Sequence, residues 1–212
     1  MTRPMAARRR RRAGFTLIEV LVSLGIMTVG AMAIMALQAQ TIRANSFARQ
    51  LTVATQIAQV WAERLKQDAN MWTEQGQPTG GIPTVTTVLQ RTTYLRLIES
   101  TGGVFFAPAD SSGLVRVSPA FDFQGNDVPR NSIGTHYCAQ IRLQWVYFGE
   151  AMRADVRVWF PKVNSGANMV TDSANCDPGP GDPARLEPGG TLFGSYHVVY
   201  LPSVIRVTPL IR

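Results

Sequence analysis

Hydrophobic side chains fill the first long stretch of the chain without a break. From Phe15 to Leu37 the residues are almost all apolar, over about 23 positions. A helix of that length reaches ~34 Å, which is enough to cross the hydrocarbon core of a bilayer. Five consecutive arginines, at positions 8–12, precede it. Basic flanks stay on the cytoplasmic side, so we expect the residues that follow the helix to lie outside.

Beyond Leu37 the pattern becomes amphipathic, and no proline interrupts it before Pro78. Apolar side chains recur at intervals of three and four residues, which predicts a continuing helix that ends near residues 69–73. We expect this stripe to pack against the chain's own globular part rather than against a coiled-coil partner. The stripe consists of Phe47, Leu51, Ala54, Ala58, Trp61 and Leu65, widened by Val53, Ile57 and Val60.

The clearest β pattern is an alternation of apolar and polar side chains over residues 141–148 and again over 155–160. Two such runs joined by a short turn around Gly149 predict an antiparallel hairpin. Residues 192–201 and 204–207 predict two further strands. Other predicted features are short strands at 104–106 and 114–118, ambiguous segments at 84–89 and 94–98, a Gly/Pro-rich linker at 75–83, and loops at 121–135 and 164–190.

The net charge of +7 over 212 residues first suggests a nucleic-acid or membrane partner. The first 14 residues hold six of the basic side chains and no acidic one, which leaves 15 basic against 14 acidic residues in the rest. The basic excess therefore belongs to membrane topology. We expect no nucleic-acid partner for the part beyond residue 14.

Two cysteines, Cys138 and Cys176, lie in the part that we expect outside the cytoplasm. An oxidising compartment permits a disulfide between them, and closing a loop of about 39 residues contributes roughly 3–4 kcal/mol on the chain-entropy model. Two separate thiols are the alternative. His136 precedes Cys138 by two residues, but no third group is evident to orient the imidazole, so we expect no catalysis there. The sequence shows no phosphate-binding loop, dinucleotide motif, serine elbow or metal-ligand cluster, so we expect no enzyme, cofactor or metal.

Glu19 is the one carboxylate inside the apolar run. A lone acid in a lipid-facing helix costs roughly 2.5–3.5 kcal/mol at the helix centre and less near its end. One interpretation is that Glu19 lies near enough to the headgroups to reach water. The other is that it pairs with a cation in an assembled state. Cleavage after Gly14 would supply such a cation, the new amine of Phe15, one helical turn away.

The string Gly14-Phe15-Thr16-Leu17-Ile18-Glu19-Val20 after a basic leader resembles the processing site of type IV prepilins and type II secretion pseudopilins. The resemblance implies that prepilin peptidase cleaves between Gly14 and Phe15, that Phe15 becomes N-methylphenylalanine, and that Glu19 is the assembly carboxylate. It also implies an α+β, pilin-like fold, in which a long N-terminal helix packs on a C-terminal antiparallel sheet. The expected segments are a leader (1–14), a membrane or filament-core helix (15–39), its amphipathic half (40–73) and a β-rich domain (74–212).

Within this class, residues 18–24, Gly30 and the lack of a proline midway along the apolar helix resemble minor pilins of the PilV type more than major pilins. The resemblance implies other pilins as partners. It also implies an inner-membrane anchor with a cytoplasmic N-terminus and a periplasmic domain that later reaches the cell surface.

Three alternatives stay open. The first is a type II secretion pseudopilin. The second is a secretory signal peptide cleaved after Ala31-Met32-Ala33, against which the apolar run is long. The third is a membrane-anchored periplasmic binding or enzyme domain.

Overall fold

The computed structural model describes residues 14–73, 89–108, 118–129, 132–162, 176, 186, 190 and 194–206. The chain divides into two compact units, residues 1–47 and residues 48–212. Its elements, in chain order, are α1 (Leu17–Thr73), a 3-10 turn (Leu95–Leu97), α2 (Ile98–Thr101), β1 (Ala120–Phe121), β2 (Asp127–Val128), β3 (Tyr137–Tyr147), β4 (Ala151–Pro161) and β5 (Tyr196–Arg206).

The five strands form one antiparallel sheet in the order β2-β1-β3-β4-β5. The predicted hairpin is confirmed as β3 and β4, which pair from Cys138 opposite Trp159 to Tyr147 opposite Ala151. Both strands are longer than the alternation indicated, and Ala151 opens β4 instead of closing the turn. A long N-terminal helix with a C-terminal antiparallel sheet confirms the predicted α+β, pilin-like class.

The core of the second unit lies between α1 and one face of the sheet. Trp61 and Leu65 on the helix meet Ile141 and Leu143 on β3 and Val156 on β4, all at most 1% exposed. Alternate residues of a strand point to opposite faces, so the odd-numbered positions of β3 supply this core. The helical stripe is buried from Ala54 onward, together with Ile57, Ala58, Ala62, Ala69 and Trp72.

Three members of the predicted stripe are placed differently from the expectation. Phe47 and Leu51 are 38% and 41% exposed, and Val60 is 45% exposed. Phe47 and Leu51 precede the buried stretch of α1, and Val60 lies at the margin of the stripe. The inward position next to them is taken by Gln50, a polar residue that is 6% exposed.

Two predictions beside β3, one of a strand and one of a loop, were wrong. Residues 104–106 form no strand, and only Phe106 bridges to Ile141 of β3. The segment 121–135 is not a loop throughout, because β1 and β2 form a small hairpin. Asp122 closes that hairpin by accepting hydrogen bonds from the backbone N–H groups of Gln124 and Asn126. Strands of two residues are too short to show an alternation.

The end of the chain was also predicted incorrectly, as two strands where the structure has one. β5 pairs with β4 along its whole length, with Pro202 opposite Asp155. A proline lacks the N–H that an inner strand needs, but an edge strand tolerates it on its outer side. Among the described residues, β5 is such an edge. The predicted elements at 75–83, 84–88 and 114–117, and most of 164–190, lie outside the described residues.

The segment 94–98, which was ambiguous, consists of the 3-10 turn and the start of α2. Asp68 of α1 holds it in place. Its carboxylate accepts hydrogen bonds from the backbone N–H groups of Thr93, Tyr94 and Leu95 at 2.6, 2.7 and 3.0 Å. A buried carboxylate with three backbone donors is well satisfied, so Asp68 fastens this connection to the helix.

Candidate functional site

The predicted cleavage bond lies just before α1. Gly14, Phe15 and Thr16 have no regular secondary structure, and α1 begins at Leu17. The side chain of Phe15 is 82% exposed. A peptidase must bind the chain in a non-helical form, and this segment has that form without local unfolding.

Glu19 occupies the first turn of α1. Its backbone N–H and that of Val20 both donate to the carbonyl of Thr16. In the described part of the chain its carboxylate has no hydrogen-bonding partner. Its position in the first turn is still favourable, because the N-terminal end of a helix favours a negative charge. The side chain of Glu19 is exposed.

Capping of the helix is a local role that the sequence would allow this acid. Thr16 and Glu19 have the spacing of a capping box, in which the glutamate would bond the backbone N–H of the threonine. The hydrogen bonds of the described residues do not include that contact. Glu19 therefore has no capping contact among the described residues, although its spacing from Thr16 is the one that a capping box uses.

Between residues 20 and 37 the surface of α1 is apolar on nearly every side. All residues from 17 to 47 are exposed, among them Leu21, Ile26, Met32 and Leu37, and no charged side chain occurs between positions 20 and 42. By length and composition, α1 can cross a membrane. An apolar N-terminal helix that begins with this string fits membrane anchoring.

The few hydroxyls in this apolar stretch are satisfied locally. Ser23 donates to the carbonyl of Glu19 at 2.7 Å, Thr28 to Gly25 at 2.8 Å, and Thr41 to Leu37 at 2.9 Å. A hydroxyl bonded to its own helix exposes no unpaired donor to lipid. These polar residues are therefore compatible with a hydrocarbon environment.

The two cysteines are joined in the second unit. The Sγ atoms of Cys138 and Cys176 are 2.01 Å apart. The bond lies on the sheet face opposite α1, in a cluster with Trp159, Tyr196 and Leu186. Because Cys138 is bonded, it has no thiol to offer His136.

His136 instead packs among aromatic rings and polar groups. Its ring lies 4.9 Å from that of Phe123 and 4.8 Å from that of Tyr137, and its Nε2 is 3.5 Å from the amide nitrogen of Gln50. Burial lowers the pKa of His136. His197 lies on β5 near the ring of Phe160, and burial, with Lys162 second, lowers its pKa. Both histidines favour the neutral form.

Among the described residues, no group of three His, Cys, Asp or Glu side chains is close enough to hold a metal ion. The sheet contains a different polar arrangement that sequence reasoning missed. Arg157 is fully buried on β4, and its Nε donates to Oε1 of Gln140 at 2.6 Å. The alternation placed Arg157 among the polar positions of its run and gave no sign that it is buried, and Gln140 precedes the run at 141–148.

Residues 9–35 match a family described as the prokaryotic N-terminal methylation motif. This motif, together with the exposed apolar helix, indicates a type IV pilin-like or pseudopilin-like protein. It implies processing by a prepilin peptidase and assembly with other pilins. No curated protein and no solved structure matches the chain.

Proposed function

We propose that this chain is a minor pilin of a type IV pilus-like filament that acts in the assembly or priming of the filament. The observation that carries the proposal is the methylation motif at the start of an apolar helix, whose first turn holds an acid, Glu19, with no hydrogen-bonding partner among the described residues. A structural subunit needs an anchor, an assembly contact and an outer domain. It needs no catalytic group, and we propose none here.

Processing prepares the assembly contact. Cleavage between Gly14 and Phe15 removes the leader and leaves a positively charged amine on Phe15, which remains basic after N-methylation. The amine lies about one helical turn from Glu19, so the two charges can neutralise each other within one chain or between neighbours. In an apolar surrounding an unpaired carboxylate is costly, so the pairing selects a defined axial register between subunits.

The first part of α1 then exchanges one apolar environment for another. In the inner membrane its exposed side chains face lipid, and in the filament they face the helices of other subunits. The N-terminus stays cytoplasmic before cleavage, the domain after residue 48 is periplasmic, and the assembled subunit reaches the cell surface. Prepilin peptidase and other minor pilins are the proposed partners.

Mass spectrometry of the N-terminal peptide from the native host tests the processing step. We expect a peptide that starts at Phe15 and carries one added methyl group. A peptide that starts near Ile34 would show signal-peptide cleavage and contradict the proposal. An intact leader in the mature protein would contradict it as well.

A Glu19→Ala variant tests the assembly step. We expect it to be inserted and processed but to lose co-purification with other pilins from sheared filaments. Glu63→Ala is the matched control, because Glu63 is an exposed glutamate on the same helix that, among the described residues, pairs with the neighbouring Lys66. If the Glu19→Ala variant co-purified with other pilins as well as the Glu63→Ala variant does, the role of Glu19 would be refuted. Co-purification with secretion-system components instead of pilus components would identify a pseudopilin.

A further inference from the structure

Cys176 has an unusual backbone conformation for a cysteine. Its φ angle is +58°, in the left-handed region that residues with a side chain rarely adopt. The residue is nevertheless only 2% exposed, and its Cα lies 5.3 Å from that of Cys138. This separation is within the range that a disulfide requires. Because the conformation is locally unfavourable, contacts with the rest of the fold must hold it.

One such contact comes from Gln140 on β3. Its Nε2 donates a hydrogen bond to the carbonyl of Cys176 at 3.0 Å. Gln140 follows Cys138 by two residues on the same strand, so the two side chains lie on the same face of the sheet. Gln140 is fully buried. The group that binds Cys176 is therefore next to the cysteine with which Cys176 pairs.

Arg157 on β4 determines which way the amide of Gln140 points. The two residues lie opposite each other in the sheet, and Nε of Arg157 donates to Oε1 of Gln140 at 2.6 Å. A guanidinium group can only donate and a carbonyl can only accept, so the amide oxygen must face Arg157 and the amide nitrogen must face Cys176. The ring of Phe105 packs against the guanidinium group, with its centroid 4.1 Å from Cζ of Arg157.

The amide of Gln140 is thus oriented by the hairpin of β3 and β4. These strands pair over most of their length, whereas Cys176 follows β4 in the chain and belongs to neither strand. A polar group that is fixed in advance loses little freedom when it binds its partner. Gln140 is therefore suited to bind the backbone of Cys176 before the disulfide closes.

We propose that Gln140 is a positioning residue for closure of the Cys138–Cys176 disulfide, because it binds the carbonyl of Cys176 and so brings the two thiols together. The oxidant is an external disulfide. The thiolate of one cysteine attacks that disulfide, forms a mixed disulfide and releases one half of the oxidant as a thiol.

Gln140 acts on the second step. The thiolate of the other cysteine attacks this chain's sulfur in the mixed disulfide and expels the second half of the oxidant. The two cysteine protons end on the two thiols of the oxidant, which is reduced as the chain is oxidised. The inference goes beyond the filament role, since it concerns the second unit and holds whether or not Glu19 acts in assembly.

A Gln140→Glu variant separates positioning from a purely structural role. Glutamate has nearly the shape of glutamine, and its carboxylate still accepts a hydrogen bond from Arg157, but it has no N–H to donate to Cys176. If Gln140 served only as the partner of Arg157, the variant would retain its role. If Gln140 positions Cys176, the variant loses that role.

Equilibration of the full-length protein, in non-ionic detergent, with reduced and oxidised glutathione tests the proposal. Alkylation of the thiols and mass spectrometry give the ratio of the two forms, and hence the effective concentration of the cysteine pair. We expect Gln140→Glu to lower this concentration about three- to tenfold, which corresponds to one neutral hydrogen bond. Gln144→Glu is the matched control, because it makes the same change at an exposed glutamine of the same strand. It should leave the effective concentration unchanged.

Near-UV circular dichroism establishes that each variant is folded in both redox states. If Gln140→Glu does not fold, Gln140→Leu/Arg157→Leu replaces both polar partners by apolar groups and should lower the effective concentration by the same factor. A folded variant of either kind with the effective concentration of the wild type would contradict the proposal. An equal decrease in Gln144→Glu would contradict it as well.

Discussion

The two parts of α1 belong to one helix and follow opposite rules of burial. From residue 17 to 47 every side chain is exposed, whereas from Ala54 to Trp72 one face is buried beneath the sheet. If the whole helix were in water, the hydrophobic effect would favour burial of the apolar side chains of the first part as well. The difference fits two surroundings, an apolar one for the exposed first part and the chain's own core for the second.

Two acids on this helix repeat the contrast. Asp68 is 8% exposed and accepts three backbone hydrogen bonds within the chain. Glu19 has no hydrogen-bonding partner among the described residues. A carboxylate that accepts hydrogen bonds from its own chain stabilises the fold, whereas a carboxylate without such bonds is suited to a contact between molecules. Substitutions in the two parts should therefore have different consequences.

The largest effect on stability is expected from Trp61→Ala. Trp61 is fully buried, contacts the ring of Tyr94 edge-on at 5.5 Å and lies under Arg64. Removing it should lower the free energy of unfolding of the second unit by roughly 3–5 kcal/mol. Ile34→Ala, in the first part, should leave it unchanged. Urea unfolding in detergent, followed by near-UV circular dichroism of the three remaining tryptophans, all of which lie beyond residue 48, measures this unit alone.

The next largest effect is expected from the disulfide. Replacing Cys138 and Cys176 by serine should lower the free energy of unfolding by about 3–4 kcal/mol, because the unfolded chain loses the constraint on its loop. Both cysteines belong to the second unit, so dithiothreitol should shift its unfolding midpoint without changing the helical signal of the first. If the midpoint is the same in reduced and oxidised protein, the bond contributes nothing to stability.

Asp68→Asn should have an intermediate effect. The amide keeps one acceptor oxygen, which can serve Tyr94 and Leu95, while its NH2 group faces the backbone N–H of Thr93 and cannot accept from it. We expect a loss of about 1.5–3 kcal/mol in the free energy of unfolding. Glu19→Gln should change this value little. An equal loss in both variants would remove the distinction between the two acids.

The smallest effect concerns pH. Burial lowers the pKa of His136 and of His197, so the folded state binds protons less readily than the unfolded state, whose histidines titrate near 6.5. Their contribution to stability is complete above that pH and is lost as the pH falls through the lower pKa of the folded state. His136→Gln should flatten the pH dependence of thermal unfolding in this range. His197→Gln should do so less, because His197 lies nearer to solvent.

Sequence patterns predicted the elements that depend on neighbours along the chain. These elements are the apolar run, the stripe through Trp61 and the alternation on β3 and β4. Each pattern repeats over two or more helical turns or strand pairs, which makes it recognisable. Patterns did not predict β1 and β2, which are too short to repeat. The same patterns divided β5 at Pro202, because they do not show whether a strand lies at the edge of a sheet, where a proline is tolerated.

By itself, the sequence determined the string at residues 14–20, the apolar run and the lone acid at Glu19, since these follow from composition and local periodicity, whereas the α+β class was what the resemblance to prepilins implied. Only the tertiary structure decided that Arg157 is buried and that Arg142 and Arg153 converge on Asp155. Those contacts join β3 and β4 with Phe105, which lies far away in sequence. A charged residue on a polar face has no local signal for burial, because the ring that covers it is brought there by the fold.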